Sequence, residues 1–455
     1  AELIAAGVQP TDRVGIFGSN SVFWVAAYLA TLKLGAIAVP FATTLPPDTI
    51  GAMQALVKCK LLCVEQKIRR KYAAILPPEL PLIDDAVLRS AGPRRWPTPL
   101  DVEPHTDAAL MFTSGTTARP RAVRLTHRNL QANADSIVEY LALTAAERML
   151  VVLPFYYCFG TSLLHTHLRV GGTLVVAGQF VYPEPVLDLM EDARCTGFAG
   201  VPSAYQLLLR NSTFPRRQIR SLRKVQQAGG KLQAVLIEEL IKAVPNGEVF
   251  VMYGQTEATA RLSYLPPQLL ATKLGSIGRG IPGVTLRVVS DTGLNVQPGE
   301  VGEIYAQGDN ISPGYLAEPE ATAQKFVDGV LHTGDLATVD EDGYLYVVDR
   351  KADFVKSYGY RVSSQQVEGC IMELPDVVAA AVIGEPDLVR GEAIKAFVVI
   401  RSGSTLTGDQ IIRHCAERLS SYMVPQQVLR IDQLPVNAHG KVIKTELRRL
   451  LAACN

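Results

Sequence analysis

The 455-residue sequence predicts an α/β protein. A large N-terminal domain of layered α/β subdomains, with a small β-rich unit, precedes a small mobile α+β C-terminal domain. Three observations carry this prediction. Short apolar runs alternate with helical patterns over roughly the first 250 residues, which argues layered α/β structure with mainly parallel strands. After Gly275, β-branched residues alternate with turn pairs, as in a small antiparallel unit. From Arg350 onward, hairpin, helix and strand signals mix within about a hundred residues, enough for a small domain.

In chain order, "DRVGIFGS" reads as a strand and "SVFWVAAYLATLKLG" as a buried helix closed by glycine. "AIAVPF", "KLLCVEQ", "RMLVVLPF", "GTLVVAG", "GFAGVP", "KVQQAGG" and "VFVMYGQTE" read as further strands, and "LTHRNLQANADSIVEYLA" as a helix. Many of these strands end in small or polar residues, where open α/β sheets bind ligands. The turn pairs of "GVTLRVVSDTGLNVQPGEVGEIYAQG" mark the β-rich unit. The short charged stretch "VVDRKADF" reads as a hinge. The boundary falls between residues 349 and 350, giving domains 1–349 and 350–455.

Composition excludes several classes. A net charge of +1 gives no bulk electrostatic hold on nucleic acid. No long uncharged apolar run predicts a membrane span, and no signal peptide is visible. The seven cysteines are scattered without a Cys-x-x-Cys pair. They read as reduced thiols of a cytoplasmic protein. His165 and His167 read as packed side chains. "GRGIPG" precedes a strand instead of following one, so its glycines read as turn formers, not a dinucleotide site.

The chemistry concentrates in a few segments. "MFTSGTTARPRAV" offers the hydroxyls of Thr113, Ser114, Thr116 and Thr117, with Gly115 to turn backbone amides toward an anion. Arg119 and Arg121 add positive charge. It is not a Walker A loop. In "VMYGQTEAT", Tyr253 is placed to stack on a purine and Glu257 to hold a divalent cation. Asp335 falls in what reads as a tight turn, ready to accept from two ribose hydroxyls, and Arg350 follows it. Lys441 sits beside Gly440 near the C terminus. Each of these, alone, is as easily a solvated turn or surface charge.

Together and in this order, these segments resemble the AMP-forming adenylate-forming superfamily, over nearly the whole chain. "TSGTTARPRAV" resembles its phosphate loop, "AGGKL" (with Gly229 and Gly230) and "YGQTE" (Tyr253, Gly254, Gln255, Thr256, Glu257) its adenine and magnesium segments, and "TGD" its ribose motif. "DRKADFVKSYGYRVSSQQVE" resembles the hinge at Arg350 and Ala352 and the thiol tunnel at Ser357, Tyr358 and Gly359. "GKVIKTELR" resembles the motif of the catalytic lysine, here Lys441. The resemblance implies ATP, Mg²⁺ and CoA as the ligands. A carboxylate attacks the α-phosphate of ATP, and a thiol then takes the acyl group from the adenylate. Lys441, Glu257 and Thr256 are the implied catalytic residues and Glu257 the implied metal ligand. It also implies a segment before Ala1.

Five positions in three segments depart from the family pattern. Ala118, Arg121 and Ala122 stand where Gly, Lys and Gly are usual. Ala352 replaces a charged hinge residue, and Tyr157 replaces a common histidine. The acyl pocket falls on Tyr157, Cys158, Phe159, Gly200 and Val201. It has no carboxylate for an α-ammonium group, so a fatty or aryl acid is expected. CoA is the expected acceptor. A phosphopantetheine on an acyl carrier protein, docking on "NSTFPRRQIRSLRK", is the alternative. A scaffold that binds without turnover is the third reading.

Overall fold

The computed structural model describes residues 1–73, 76, 79–90, 101–113, 120–178, 180, 182–350, 353–437 and 440–454. Four sheets organise the chain. All eight segments read as strands in the first 250 residues form strands, but they divide between two sheets.

Arg13–Phe17, Ile37–Phe41 and Leu61–Val64 pair in parallel in the first sheet. Their flanking helix Val22–Lys33 starts at Ser21, whose hydroxyl accepts from the Trp24 amide. That sheet also takes Asp107–Phe112 and Ala122–Thr126, an antiparallel pair. The hydroxyl-rich loop therefore connects an antiparallel pair that flanks the parallel strands on one side. The acidic stretch before it already contains the start of a strand.

Arg148–Val151, Thr173–Val176, Gly197–Gly200, Lys224–Gln227 and Glu248–Tyr253 form the parallel part of the second sheet. Helices His127–Tyr140 and Cys158–Val170 pack against one another, and their buried side chains join the core cluster that also contains residues of both sheets. His165 and His167 lie on the second of them. His165 meets the Tyr28 hydroxyl at 2.9 Å, and burial lowers its pKa to about 4. Both are packed side chains, as expected.

The third sheet is antiparallel: Val284–Val289, Gly302–Gly308, Val330–Val339 and Leu345–Arg350 are its main strands. The fourth, in the small C-terminal domain, joins Val355–Ser357, Tyr360–Val362, Val377–Asp387, Gly391–Ile400 and Gln427–Arg430. One buried cluster includes Leu208, Leu209 and Leu236 of the large domain together with Ile371, Val377 and Val398 of the small one. Among the described residues, no helix is long and apolar enough to cross a membrane.

Candidate active site

The strands Lys224–Gln227 and Glu248–Tyr253 run side by side, and both end at one edge of the second sheet. Gly229 and Gly230 follow the first, Gly254 the second. These strand ends line a cleft of about 730 Å³. Asp335 and Arg350 of the third sheet close one side of it, and Gln365 and Lys441 of the small domain close another. Gly229, Gly230, Tyr253, Gly254, Asp335, Arg350 and Lys441, far apart in sequence, thus share one space.

Asp335 lies within the strand Val330–Val339, not in the tight turn expected from its neighbours. The TGD glycine instead accompanies a local irregularity in strand pairing. Strand register explains its contact with Arg350, since the two are cross-strand partners. Its carboxylate is buried and accepts from Tyr253 Oη at 2.5 Å and Arg350 Nε at 3.2 Å. That carboxylate is the main reason the Arg350 pKa is raised. Burial, and then the Asp335 charge, drive the Tyr253 phenol up, so it stays a donor.

Lys441 is a buried cation of the cleft. Burial is the main cause that lowers its pKa, and the neighbouring Arg350 charge adds to it. Cys158, Asp335 and Glu257 pull the other way. The loop carrying it is fixed by paired bonds: the Lys441 amide donates to Asn437 Oδ1 at 3.0 Å, and the Asn437 amide to Lys441 O at 2.8 Å. Gly440 has φ +77°, and a Cβ there would meet Val201 Cγ2 at 2.7 Å. Ser203 Oγ donates to Gly440 O at 3.0 Å. The lysine loop is therefore seated on the large domain at the start of helix Pro202–Arg210.

Of the phosphate-loop candidates, Ser114, Gly115, Thr116 and Thr117 lie outside the described residues, as do Ala118 and Arg119. Thr113 is at the mouth of the loop, its amide donating to Arg121 O at 2.9 Å. Arg121 is held from behind: its Nε lies 3.0 Å from Glu318, and its guanidinium stands over the Tyr315 ring. Tyr315 Oη in turn donates to Glu257 Oε1 at 2.8 Å. Ala122 begins a buried strand and is absent from the residues at positive φ. Glycine's extra freedom is not used there.

Thr256 and Glu257 lie in a single 3₁₀ turn, Thr256–Ala258, preceded by Gln255, whose amide donates to Thr333 O. Thr256 Oγ1 is 3.5 Å from Cys158 Sγ. Tyr157, Cys158, Phe159, Gly200 and Val201 are all buried beneath the cleft. Val201 and the Tyr157 hydroxyl both face Gly229 closely. Burial pushes the Cys158 thiol up, so it remains a neutral wall residue.

The sequence is matched over residues 1–316 by the family model "AMP-binding enzyme", and over 366–441 by "AMP-binding enzyme C-terminal domain". The chain belongs to the AMP-binding enzyme family. It is an AMP-forming ligase of the acyl-CoA synthetase type. Feruloyl-CoA synthase of an Amycolatopsis species is 35% identical over 450 residues, covering 98% of this chain and 90% of that enzyme. Indoleacetate–CoA ligase of Aromatoleum aromaticum is 30% identical, covering 99% and 90%. The crystal structure of the anthranilate CoA ligase AuaEII with anthranoyl-AMP superposes with a TM-score of 0.92 at 26% identity, covering 100% of this chain and 90% of that one.

In this AMP-binding enzyme the expected tunnel residues Ser357, Tyr358 and Gly359 do not line the cleft. Ser357 ends the strand Val355–Ser357, and Tyr358 and Gly359 lie at the hairpin tip after it with φ +51° and +80°. A Cβ at Gly359 would meet nothing within 4 Å. Of the hinge pair, Arg350 lines the cleft and Ala352 lies outside the described residues.

Two arginines escaped the sequence reading. Arg210 ends the helix Pro202–Arg210 and is buried at the junction of the domains. Its guanidinium donates to Leu374 O, Val377 O and Met372 O of the small domain at 3.0, 2.6 and 3.1 Å. It also grips Glu239 through two bonds at 3.2 and 2.6 Å. The Met372 carbonyl ends helix Ser364–Met372, where a cation is favourable, and Val377 begins the strand that follows. Arg261 is buried behind Phe159. The only hint of either was a charge within an otherwise apolar segment, because their partners are distant in sequence.

Proposed function

We propose that this ligase activates an aromatic carboxylic acid with ATP and passes the acyl group to CoA, with the cleft residues in the following roles. Gly229, Gly230, Tyr253 and Gly254 hold the adenine. Asp335 and Arg350 hold the ribose, and the loop from Thr113 to Arg121 holds the phosphates. Lys441 neutralises the carboxylate and the charge that develops on the α-phosphate, in a site sheltered from water. Cys158 and Phe159 wall the acid, with Tyr157 at the cleft floor.

One observation carries this reading. A lysine from the small domain is seated in the same cleft as Asp335, Arg350 and Tyr253, and the floor of that cleft at Gly229 rests on Val201 and the buried Tyr157. The aromatic acid is supported by that floor, by the absence of a carboxylate within it, and by the aryl substrates named for the relatives. Glu257 fits a magnesium ion: it is a hard oxygen donor beside the phosphate loop, and Tyr315 occupies only one of its two oxygens among the described residues. Mg²⁺ held there offsets phosphate charge.

The small domain then turns about the segment at residues 350–353, carrying Lys441 out and the Ser357–Gly359 turn in, and the thiol half-reaction follows. A carrier-protein acceptor gains little from the basic stretch after Asn211, because Arg217 there is already engaged by Glu184, Asp188 and Glu191. Free buried cysteines fit a cytoplasmic location.

ATP–pyrophosphate exchange across a panel of aryl, fatty and amino acids tests the proposal, followed by thioester formation with free CoA or a purified carrier protein. Exchange with aryl acids and transfer to CoA is the expected result. Exchange with amino acids alone, or with no acid, refutes it.

A further inference from the structure

Arg261 is 1% exposed, yet it forms no ion pair among the described residues. Its Nε faces Met252 Sδ at 3.4 Å, and its guanidinium lies 3.8 Å over the Phe159 ring. The Tyr140 hydroxyl is its other polar neighbour. Among the described residues, Nη2 has no hydrogen-bond partner. A guanidinium carries a permanent charge and five donors in a fixed fork. Burying one without a counter-charge is costly, and the ring face compensates only in part.

The surroundings share this incompleteness. Asn133 donates to Arg261 O at 3.1 Å, but its own Oδ1 is unpaired. Ser136 Oγ, three residues on along the same helix, is unpaired too. So are both amide atoms of Gln226. Gln226 is the strand partner of Phe250 and therefore lies on the same sheet face as Met252, two residues further on. A run of unpaired buried polar groups of this kind calls for a polar occupant.

Cys158 Sγ lies 3.5 Å from Thr256 Oγ1 and also lines a second, smaller cavity that includes Asn133, Thr161, Ser162 and Thr259. The same Asn133 side chain donates to the Arg261 carbonyl, so this cavity and Arg261 are neighbours across Asn133.

We infer that Arg261 is a specificity-determining residue that receives an oxygen acceptor on the end of the acid opposite its reacting carboxyl. A phenolic oxygen and a second carboxylate both supply that chemistry. The inference rests on the proposed acid activation and narrows its substrate class. The aromatic middle of the acid lies along Phe159, and its far oxygen completes the Arg261 fork.

The experiment uses the full chain in pyrophosphate exchange with cinnamate, 4-hydroxycinnamate and 4-carboxycinnamate. At least one oxygen-ended acid should exceed cinnamate in kcat/KM by about tenfold or more, mostly through KM, because a site built to bond an oxygen rejects the analogue without it. Which of the two wins distinguishes the phenol from the carboxylate. Arg261→Met should bring the three acids to within about twofold while keeping cinnamate turnover, and Arg261→Lys should keep the wild-type order. Cinnamate used as well as both partners by the wild type overturns the inference without any variant. An equal loss on all three acids in Arg261→Met, with the wild-type order retained, also overturns it and leaves a structural role. Exchange with none of them, but with other acids, overturns the inference alone; exchange with no acid of any kind overturns the proposed function with it.

Discussion

Replacing Arg210 with methionine separates the two half-reactions. The side chain keeps its length and apolar stem but loses the bonds to the small-domain carbonyls of Met372, Leu374 and Val377, and those to Glu239. Hydrogen bonds from a charged donor contribute about 1.5–3 kcal/mol each. Opening the domains lets water replace part of this, so the net penalty is closer to the about 3–5 kcal/mol of breaking a buried pair. The part that falls on the arrangement seating Lys441 in the cleft is the loss of the three carbonyl bonds, because Glu239 lies in the large domain with Arg210. At about 1.4 kcal/mol per decade, the closed-to-open ratio drops by two to more than three decades. The observed fall in exchange is smaller wherever the wild type is closed in excess, so about tenfold or more is expected. Thioester formation from a supplied acyl-adenylate should be unchanged or faster. Equal losses in the two assays, together with a lower Tm, would show that Arg210 only stabilises the fold.

Further outcomes concern three sites: Lys441, Gly359 and the phosphate loop. Lys441→Ala should lower exchange by roughly 100-fold or more while sparing transfer from supplied acyl-adenylate, because its charge serves the first step. Because burial lowers the Lys441 pKa, its proton is lost on raising the pH sooner than from an ordinary lysine. Exchange should therefore decline on the alkaline side, and Lys441→Arg should flatten that limb; a limb unmoved by the arginine would assign it to another group. Gly359→Leu adds a side chain at φ +80°, at about 1–2 kcal/mol of strain. It should leave exchange nearly intact and abolish CoA thioester formation, and normal thioester formation would place the thiol path elsewhere. Arg121→Ala should weaken ATP use by about tenfold, since it removes both the positive charge near the phosphates and the support of Tyr315 and Glu257. Ala122→Gly should change it far less, and the reverse ranking, measured as KM for ATP, would contradict the ordinary strand geometry at Ala122.

The parallel strands were legible from local pattern, and the meeting of Asp335, Arg350 and Lys441 in one cleft only from the family resemblance. Apolar runs ending in glycine or a hydroxyl residue mark strand ends, and strand ends gather at one edge of a sheet. The division into two sheets was not legible, since nothing in "KLLCVEQ" or "RMLVVLPF" says which neighbour each will take. Asp335 was read as a turn residue from its Gly334 neighbour, but its environment comes from cross-strand pairing. Arg210 and Arg261 were invisible for the same reason. Arg210 meets Leu374 across 164 positions of sequence, and Arg261 is defined by a ring and an empty donor, neither of which has a spacing.

The buried cluster that joins Leu208 and Leu236 to Ile371 and Val398 has a consequence for modular engineering. Grafting the C-terminal domain of another ligase onto this chain would transplant the lysine and hairpin intact, yet present a foreign apolar face to Leu208, Leu209 and Leu236. Hybrids whose junction lies near residue 350 would then fail at the seam rather than at the chemistry. Exchanging the facing side chains on both halves together, as a matched set, is the graft that should survive.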